Sequence, residues 1–508
     1  MGMVTLNGSH LSLEELILVA REGCLVKISD EAALKVNASR AYVEKLVSEE
    51  KIVYGITTGF GKFSNIIISH EQASELQESL IRSHACGVGN HFPEEIVRGI
   101  MLLRLNALVK GYSGIRLETL NTLAEMINKR VHPAIPEKGS LGSSGDLAPL
   151  SHMVLVMMGE GEGYYNGCLM AGDAAMSKAG IKPVRLTSKE GLALVNGTQV
   201  LTAVGAIATY DAINLMKIAD ISAALTFEAL KGIMDVFDEK VHAVRNHSGQ
   251  IDCAQNLARI LSGSGLTTKQ GEVKLQDSYS LRCLPQIHGA SKDAIDYVLD
   301  KVNKEMNAAT DNPLIFAEND QVISCGNFHG QPMALAFDFL GIALAELANS
   351  AERRIERLVN PSLSELPPFL TEKGGVNSGF MIVQYTAAAL VSENKILAHP
   401  ASVDSIPSSG NQEDHVSMGT IAARKALEIL KNTRIVIAIE LMTAAQGLEF
   451  GNPEKLGKGT KAAYKVIRAQ IPRLKEDRVM YPDIEKCIEM VKDNSILTAV
   501  EEAIGPLI

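Results

Sequence analysis

The chain has 508 residues, with 49 Lys and Arg against 59 Asp and Glu, and a formal net charge of −10. With 46 % apolar and 21 % charged residues it is a globular chain and not a disordered one. The acidic balance argues against nucleic acid or an anionic membrane as partner, since both call for a surplus of Lys and Arg on one face. It leaves room for a local basic pocket that takes a small anionic substrate. At about 150 residues per domain the length allows about three domains or one large interlocked unit. The seven cysteines are scattered and never spaced C-x-x-C. A disulfide framework or zinc ribbon is therefore not expected, and a reducing cytoplasm is the simplest compartment.

Along the chain, the N-terminus has no charged start followed by an apolar core and a cleavage site, so no signal peptide is expected. Residues 95–110 are apolar on most sides and predict a buried helix. Two possible short hairpin arms occur at 163–170 and 317–324. Residues 209–234 are rich in Ala, Leu and Ile, and 291–308 place Ile295, Val298, Leu299 and Val302 on one face. Residues 330–358 predict one long helix with Pro332 in its first turn. Its apolar part, 333–348, is interrupted by Asp338 and Glu346, which predicts a buried helix rather than a membrane span. Residues 413–450 hold no proline, and Leu430, Ile437, Leu441, Ala444 and Leu448 recur at helical steps. Gly and Pro mark loops at 132–150, 363–379 and 401–412. No repeat or flexible linker interrupts this pattern. The expectation is a mainly α, interlocked bundle of long central helices. Its N-terminal region would span 1–208, the long-helix part 209–450 and a C-terminal helical segment 451–508.

Several motifs fail on inspection. Residues 451–459 (GNPEKLGKG) resemble a phosphate loop but carry one residue too many, and Gly459 stands where a Ser or Thr should be. Residues 159–163 (GEGEG) carry two glutamates that would repel a pyrophosphate, so a turn is expected there. No H-E-x-x-H, EF-hand or G-x-S-x-G pattern is present, and no metal site is expected.

The unusual stretch is 139–150, GSLGSSGDLAPL. Gly145 has no side chain, so its amide nitrogen can approach the Ser143 carbonyl. Attack there closes a small ring through Ser144. Loss of water from the ring, and of the Ser144 hydroxyl as water, leaves an exocyclic methylidene. That group is an electrophile, which no ordinary side chain supplies. The plainer alternative is a glycine-rich turn with Asp146 capping the next helix.

This segment resembles the signature loop of the histidine and aromatic amino acid ammonia-lyase family. There three residues, usually Ala-Ser-Gly, cyclise into a methylidene-imidazolone (MIO) group. The matching residues are Ser143, Ser144 and Gly145, with Ser143 in place of the usual Ala. Six further blocks resemble the family in order: 54–61 (YGITTGFG), 83–89 (SHACGVG), 191–199 (GLALVNGTQ), 276–286 (QDSYSLRCLPQ), 326–330 (GNFHG) and 411–418 (NQEDHVSM).

The resemblance implies a fumarase/aspartase-like all-α fold and elimination of ammonia from an amino acid. It implies no external cofactor and no metal. Tyr54, in a segment with Gly55, Gly59 and Gly61, is implied as the base on the substrate's β-proton, assisted by Tyr279. Asn196 is implied beside the MIO, and Phe328 against its ring. From spacing alone, Gln276, Tyr279 and Arg282 would line one face of a helical turn. Arg282 offers a planar fork suited to a carboxylate.

Ser83-His84 resembles the histidine branch of the family, where phenylalanine enzymes tend to have Phe-Leu and tyrosine enzymes His-Leu. Glu413 adds an acceptor for an imidazole N–H. The implied reaction is L-histidine to trans-urocanate and ammonia, the first step of histidine breakdown. The alternatives are the phenylalanine or tyrosine branch, a 2,3-aminomutase, or an uncyclised non-catalytic member. The family further implies a homotetramer with active sites shared between subunits. The apolar faces of 330–358 and 413–450 also call for cover by other helices.

Overall fold

A computed structural model of the protein describes residues 2–59 and 72–508. Gly61 of the glycine-rich segment lies outside the described residues. Helices appear where small apolar residues recur and any proline falls in the first turn. In chain order they begin with α1 (Leu13–Ala20), α2 (Asp30–Ser48), α3 (Ala73–His84), α4 (Glu94–Leu108) and α5 (Leu117–Asn128). Next come α6 (Leu147–Met157), α7 (Gly172–Lys178), α8 (Glu190–Val195) and the 31-residue α9 (Gln199–Ala229). Then follow α10 (Glu239–Ala243), α11 (Ser248–Ile260), α12 (Tyr279–Arg282) and α13 (Leu284–Glu305). The last are α14 (Gln331–Val359), α15 (Met381–Leu397), α16 (Gly419–Leu448), α17 (Lys458–Gln470), α18 (Tyr481–Lys492) and α19 (Ser495–Ile504).

The predicted long helices are present, with shifted starts. α9 begins ten residues before the predicted 209 because its first turn is capped from elsewhere in the chain, as described below. α13 begins at Leu284, with Pro285 in the first turn where its missing N–H costs nothing. α16 begins only at Gly419, not at 413. Met418 is left-handed (φ 56°), as are Ser409 and Asn411, and a helix cannot propagate through such residues.

α14 is 29 residues long and apolar enough to cross a membrane by length and composition, so the shorter stretch read from the sequence understated it. Burial decides the matter, since 67 % of its apolar window lies inside the protein, as in a core helix.

The chain forms two compact units. The first comprises Met1–Ile207, Leu299–Asp338 and Pro400–Arg424. Its core is α4, on which every residue from Ile96 to Leu108 is buried, with α1 and α5 packed against it. α1 is entered through a capping box in which Ser12 and Glu15 satisfy each other's backbone N–H.

Strands here are short. β1 (Met3–Leu6) pairs in parallel with β2 (Leu25–Ile28), and β3 (Val88–His91) pairs antiparallel with β5 (Pro136–Lys138). β4 (Val131–Pro133), β6 (Glu162–Tyr165) and β7 (Cys168–Ala171) form a three-stranded sheet. The segment 163–170, read as one hairpin arm, holds both arms β6 and β7, turned by Asn166 and Gly167, both at positive φ. The arm read at 317–324 contains β9 (Gln321–Ile323), which pairs with β8 (Leu314–Phe316). In this unit Gly205 of α9 lets Phe337 of α14 seat against the helix, since a Cβ there would lie 1.9 Å from the ring.

The second unit comprises Ala208–Val298, Phe339–His399 and Lys425–Ile508. Its core holds a fully buried ion pair, Arg354 to Glu440, with Nε–Oε1 at 2.5 Å. Thr226 donates to the same carboxylate at 2.9 Å. The failed phosphate loop at 451–459 lies here and is used internally. Gly457 N–H donates to Glu228 Oε1 at 2.8 Å and Lys458 N–H to the Ser262 carbonyl at 2.9 Å. All seven cysteines are free thiols.

Candidate active site around the Ser143–Gly145 loop

The loop before α6 is stapled from three sides, all within the first unit. Ser417 Oγ donates to the Gly142 carbonyl at 2.7 Å and Met418 N–H to the Leu141 carbonyl at 2.8 Å. Asp146 stands at the N-cap position of α6 but makes no side-chain cap there, contrary to the turn-and-cap reading of the sequence. Its carboxylate instead accepts from the Val200 and Leu201 N–H groups, both at 2.9 Å, and so caps α9. Ser140 Oγ, at 2.8 Å, and Thr420 Oγ1 donate to its other oxygen. Burial pushes the Asp146 carboxyl up, and these hydrogen bonds pull it the other way. Through Asp146, two helices and the serine loop share one anchor.

Gly145 and Gly197 run side by side as a parallel bridge, with Asp146 N–H donating to the Gly197 carbonyl at 2.8 Å. Arg104, fully buried on α4, holds the far side of this bridge. It donates to the carbonyls of Ala193 and Asn196, the latter at 3.0 Å, and to Gln199 Oε1 at 2.5 Å. Burial lowers the Arg104 pKa to about 10, while Asp311 opposes the shift. Asn196 is 4 % exposed, and its Oδ1 has no hydrogen-bond partner among the described residues. A buried amide oxygen left in this way is an acceptor waiting for a donor.

Glu413 closes the loop's other face. Its Oε2 accepts from Ser143 Oγ at 2.9 Å and from Ser408 Oγ at 2.7 Å. Its Oε1 accepts from Ser144 Oγ at 2.7 Å. His84, half-buried at the C-terminus of α3, has Nδ1 2.9 Å from Ser83 Oγ. Ser83 donates its own proton to the Leu80 carbonyl, which assigns Nδ1 as the donor and Nε2 as the acceptor. Burial lowers the His84 pKa, and the Glu413 charge pulls it upward.

The remaining predicted residues stand as follows. Phe328, half-buried, lies in the turn before α14 in the same unit. Tyr54, half-buried, lines a hollow of about 340 Å³ with Tyr42, Pro313 and Val322, a hollow that no residue of the serine loop lines. Gln276, Tyr279 and Arg282 belong to the second unit. Gln276 precedes α12 and so does not share a helical face with the other two, which corrects the spacing argument. The Arg282 guanidinium instead stacks 4.7 Å from the Tyr279 ring centroid. Arg282 and Gln276 line one hollow of about 280 Å³.

The description "aromatic amino acid lyase" covers a family that matches residues 11–469. The chain belongs to the aromatic amino acid lyase family. The histidine ammonia-lyase of Alkaliphilus oremlandii (strain OhILAs) is 66 % identical over 504 residues, covering 99 % of both chains. The crystal structure of histidine ammonia-lyase from Trypanosoma cruzi is 42 % identical with a TM-score of 0.92, covering 99 % of this chain and 96 % of that one. A tyrosine aminomutase from Streptomyces globisporus is 39 % identical with a TM-score of 0.95, covering 98 % of each. These structures share the all-α lyase fold, and the chain is an ammonia-lyase of this family.

In this aromatic amino acid lyase, sequence reasoning passed over Asp146 as an anchor, Arg104, Ser408 and Thr420. Only the capping habit of Asp gave a signal, and it pointed to the wrong helix. A buried trio, Asp220, Cys253 and His288, brings ligand-type atoms within 4.8 Å of one another. Two cations occupy its surroundings: Lys292 Nζ lies 3.2 Å from Asp220, and Arg354 lies 3.3 Å from His288 Nε2. With Glu440 paired to Arg354, the trio belongs to a buried ion-pair network of two cations and two carboxylates in the second unit's core.

Proposed function

We propose that this aromatic amino acid lyase eliminates ammonia from L-histidine to give trans-urocanate. The observation that carries the reading is Glu413, a carboxylate hydrogen-bonded to both loop serines. Glu413 and His84 give an imidazole an acceptor and a polar wall, where a phenyl ring would need an apolar one.

The residues present fit a ring made from Ser143, Ser144 and Gly145. Gly145 is held at φ 74° with its backbone against Gly197, a position that only glycine occupies. The Gly145 nitrogen bonds to the Ser143 carbonyl carbon, and the carbonyl oxygen leaves as water with the Gly145 and Ser144 amide protons as a C=N bond forms to the Ser144 nitrogen. The Ser144 hydroxyl leaves as a second water with the Ser144 α-proton. The resulting MIO would supply an electrophile that activates the amine as a leaving group. Around it, Tyr54 takes the β-proton and Tyr279 assists. Arg282 and Gln276 hold the substrate carboxylate, Asn196 Oδ1 accepts from the substrate amine, and Phe328 covers the ring.

The proposal includes an obligate D₂ homotetramer whose sites draw on several chains. Supporting it, Leu335, Phe339 and Ile342 form an exposed row on α14, and Ile382, Tyr385 and Ile396 stand exposed on α15. Apolar helix faces of that kind need cover. Tyr279, 69 % exposed, suits a site completed by another chain. Seven free thiols suit a reducing, cytoplasmic compartment.

The test is turnover of L-histidine, L-phenylalanine and L-tyrosine, followed by urocanate formation, with intact mass on the same sample. Urocanate from histidine and a mass two waters below the translated sequence are expected. Turnover of phenylalanine or tyrosine without histidine would replace the reading, and an unprocessed mass in an active sample would remove the ring from it.

A further inference from the structure

We propose that Ser143 and Ser408 are positioning residues for Glu413, and that formation of the ring unmasks the Glu413 oxygen that receives the substrate. This rests on the function proposed above. The two carboxylate oxygens are not equivalent. Oε2 takes two hydroxyl donors, Ser143 at 2.9 Å and Ser408 at 2.7 Å. Oε1 takes one, Ser144 at 2.7 Å, and that hydroxyl is the one expelled as water during ring closure. Closure consumes the Ser143 carbonyl oxygen but leaves the Ser143 side chain intact. Before closure Glu413 therefore carries three donors among the described residues. Afterwards it carries two, both on Oε2, and Oε1 is open for a new N–H.

Ser408 is fixed independently of the ring. It forms an antiparallel bridge with Glu413, its N–H donating to the Glu413 carbonyl at 2.9 Å, so hydroxyl and carboxylate move together. Ser143 adds the second donor, in the place where the family usually has Ala and no hydroxyl. Two donors on one oxygen define the plane of a carboxylate, and each is charge-assisted. A carboxylate held in this way presents Oε1 in one orientation and needs no reordering when an imidazole arrives. The loop that makes the electrophile thereby also sets the polar group that selects the substrate.

The experiment compares wild type with Ser143→Ala, Ser408→Ala, the double variant and Ser143→Thr. Intact mass reports ring closure independently of activity, and steady-state kinetics with L-histidine gives kcat and KM separately. Fully matured Ser143→Ala and Ser408→Ala should each raise KM several-fold, and the double variant should raise it roughly tenfold or more. In all of them kcat should change less than KM. Ser143→Thr retains a hydroxyl and should restore KM toward wild type. Wild-type KM in the matured double variant would overturn the proposal. If Ser143→Ala does not mature, Ser408→Ala decides, because Ser408 lies outside the ring. A matured wild type that ignores L-histidine would overturn the underlying function and this proposal together. Histidine turnover with unmoved KM in the variants overturns this proposal alone.

Discussion

A β-carbon on Gly145 would lie 2.1 Å from the Gly197 carbonyl oxygen. The two glycines are 52 positions apart, yet neither can carry a side chain. A Cβ on Gly197 would come 2.2 Å from Arg104 Nη1. The close approach lets the backbone of the serine loop lie against the strand-like segment that carries Asn196. Gly145→Ala adds both the clash and a left-handed backbone that alanine resists. The expected outcome is a chain whose intact mass shows no loss of water and whose activity is down about a thousandfold or more. A folded Gly145→Ala protein that matures would contradict this packing.

Ser144→Ala removes the hydroxyl whose departure would make the proposed methylidene. Its kcat should fall by several orders of magnitude with the fold intact, since a covalent catalytic group is lost. Its mass can fall by at most one water. Ser143→Ala should by contrast mature and keep substantial kcat. Near-normal turnover by well-folded Ser144→Ala would refute the ring assignment.

Arg104→Ala takes away the donor shared by Ala193, Asn196 and Gln199 and leaves those acceptors buried. Orphaned buried acceptors of this number should cost about 3 kcal/mol or more. Arg104→Lys should recover only part of it, because a single ammonium cannot reproduce the planar fork. Denaturant midpoints measure the stability, and kcat/KM should fall further than stability alone explains, since Asn196 loses its support.

Acid should loosen the second unit through Asp220. Burial would raise this carboxyl, but the Lys292 charge and the His288 hydrogen bond outweigh it and hold it at about 2, against an ordinary 3.8. A depressed carboxyl stabilises the folded state above its unfolded value, and the contribution is lost as pH falls from about 4 towards 2. The size is roughly 2 kcal/mol. His288, whose pKa burial lowers, acts in the same direction at higher pH, because acid must charge it where the fold keeps it neutral. Asp220→Asn should flatten the lower part of the acid limb in denaturation measured against pH. An unchanged profile would remove Asp220 from the account.

The proposed subunit sharing predicts complementation. Tyr54→Phe and Arg282→Ala should each be nearly inactive alone. Mixed under conditions that let subunits exchange, they should regain part of the wild-type activity, because some sites then hold both native groups. A fully active sedimenting monomer would overturn the tetramer.

The serine loop stood out in the sequence because the chemistry proposed for it needs only three consecutive residues, Ser143, Ser144 and Gly145. The long helices were legible because helical periodicity is local, and α14 was read within one residue of its ends. What failed were statements about how distant segments cap and terminate one another. The plainer reading of the loop has Asp146 capping the adjacent α6, yet it caps α9, more than fifty residues on. The start of α16 was placed too early because the left-handed Met418 reflects bonding to Leu141, which periodicity cannot register. Gln276 was put on a helix that begins three residues later. The pairing of Ser143 with Glu413 spans 270 positions. Local pattern reports which backbone each segment prefers. Which buried donor meets which acceptor depends on desolvated groups brought together by packing, and only the assembled tertiary structure decides that.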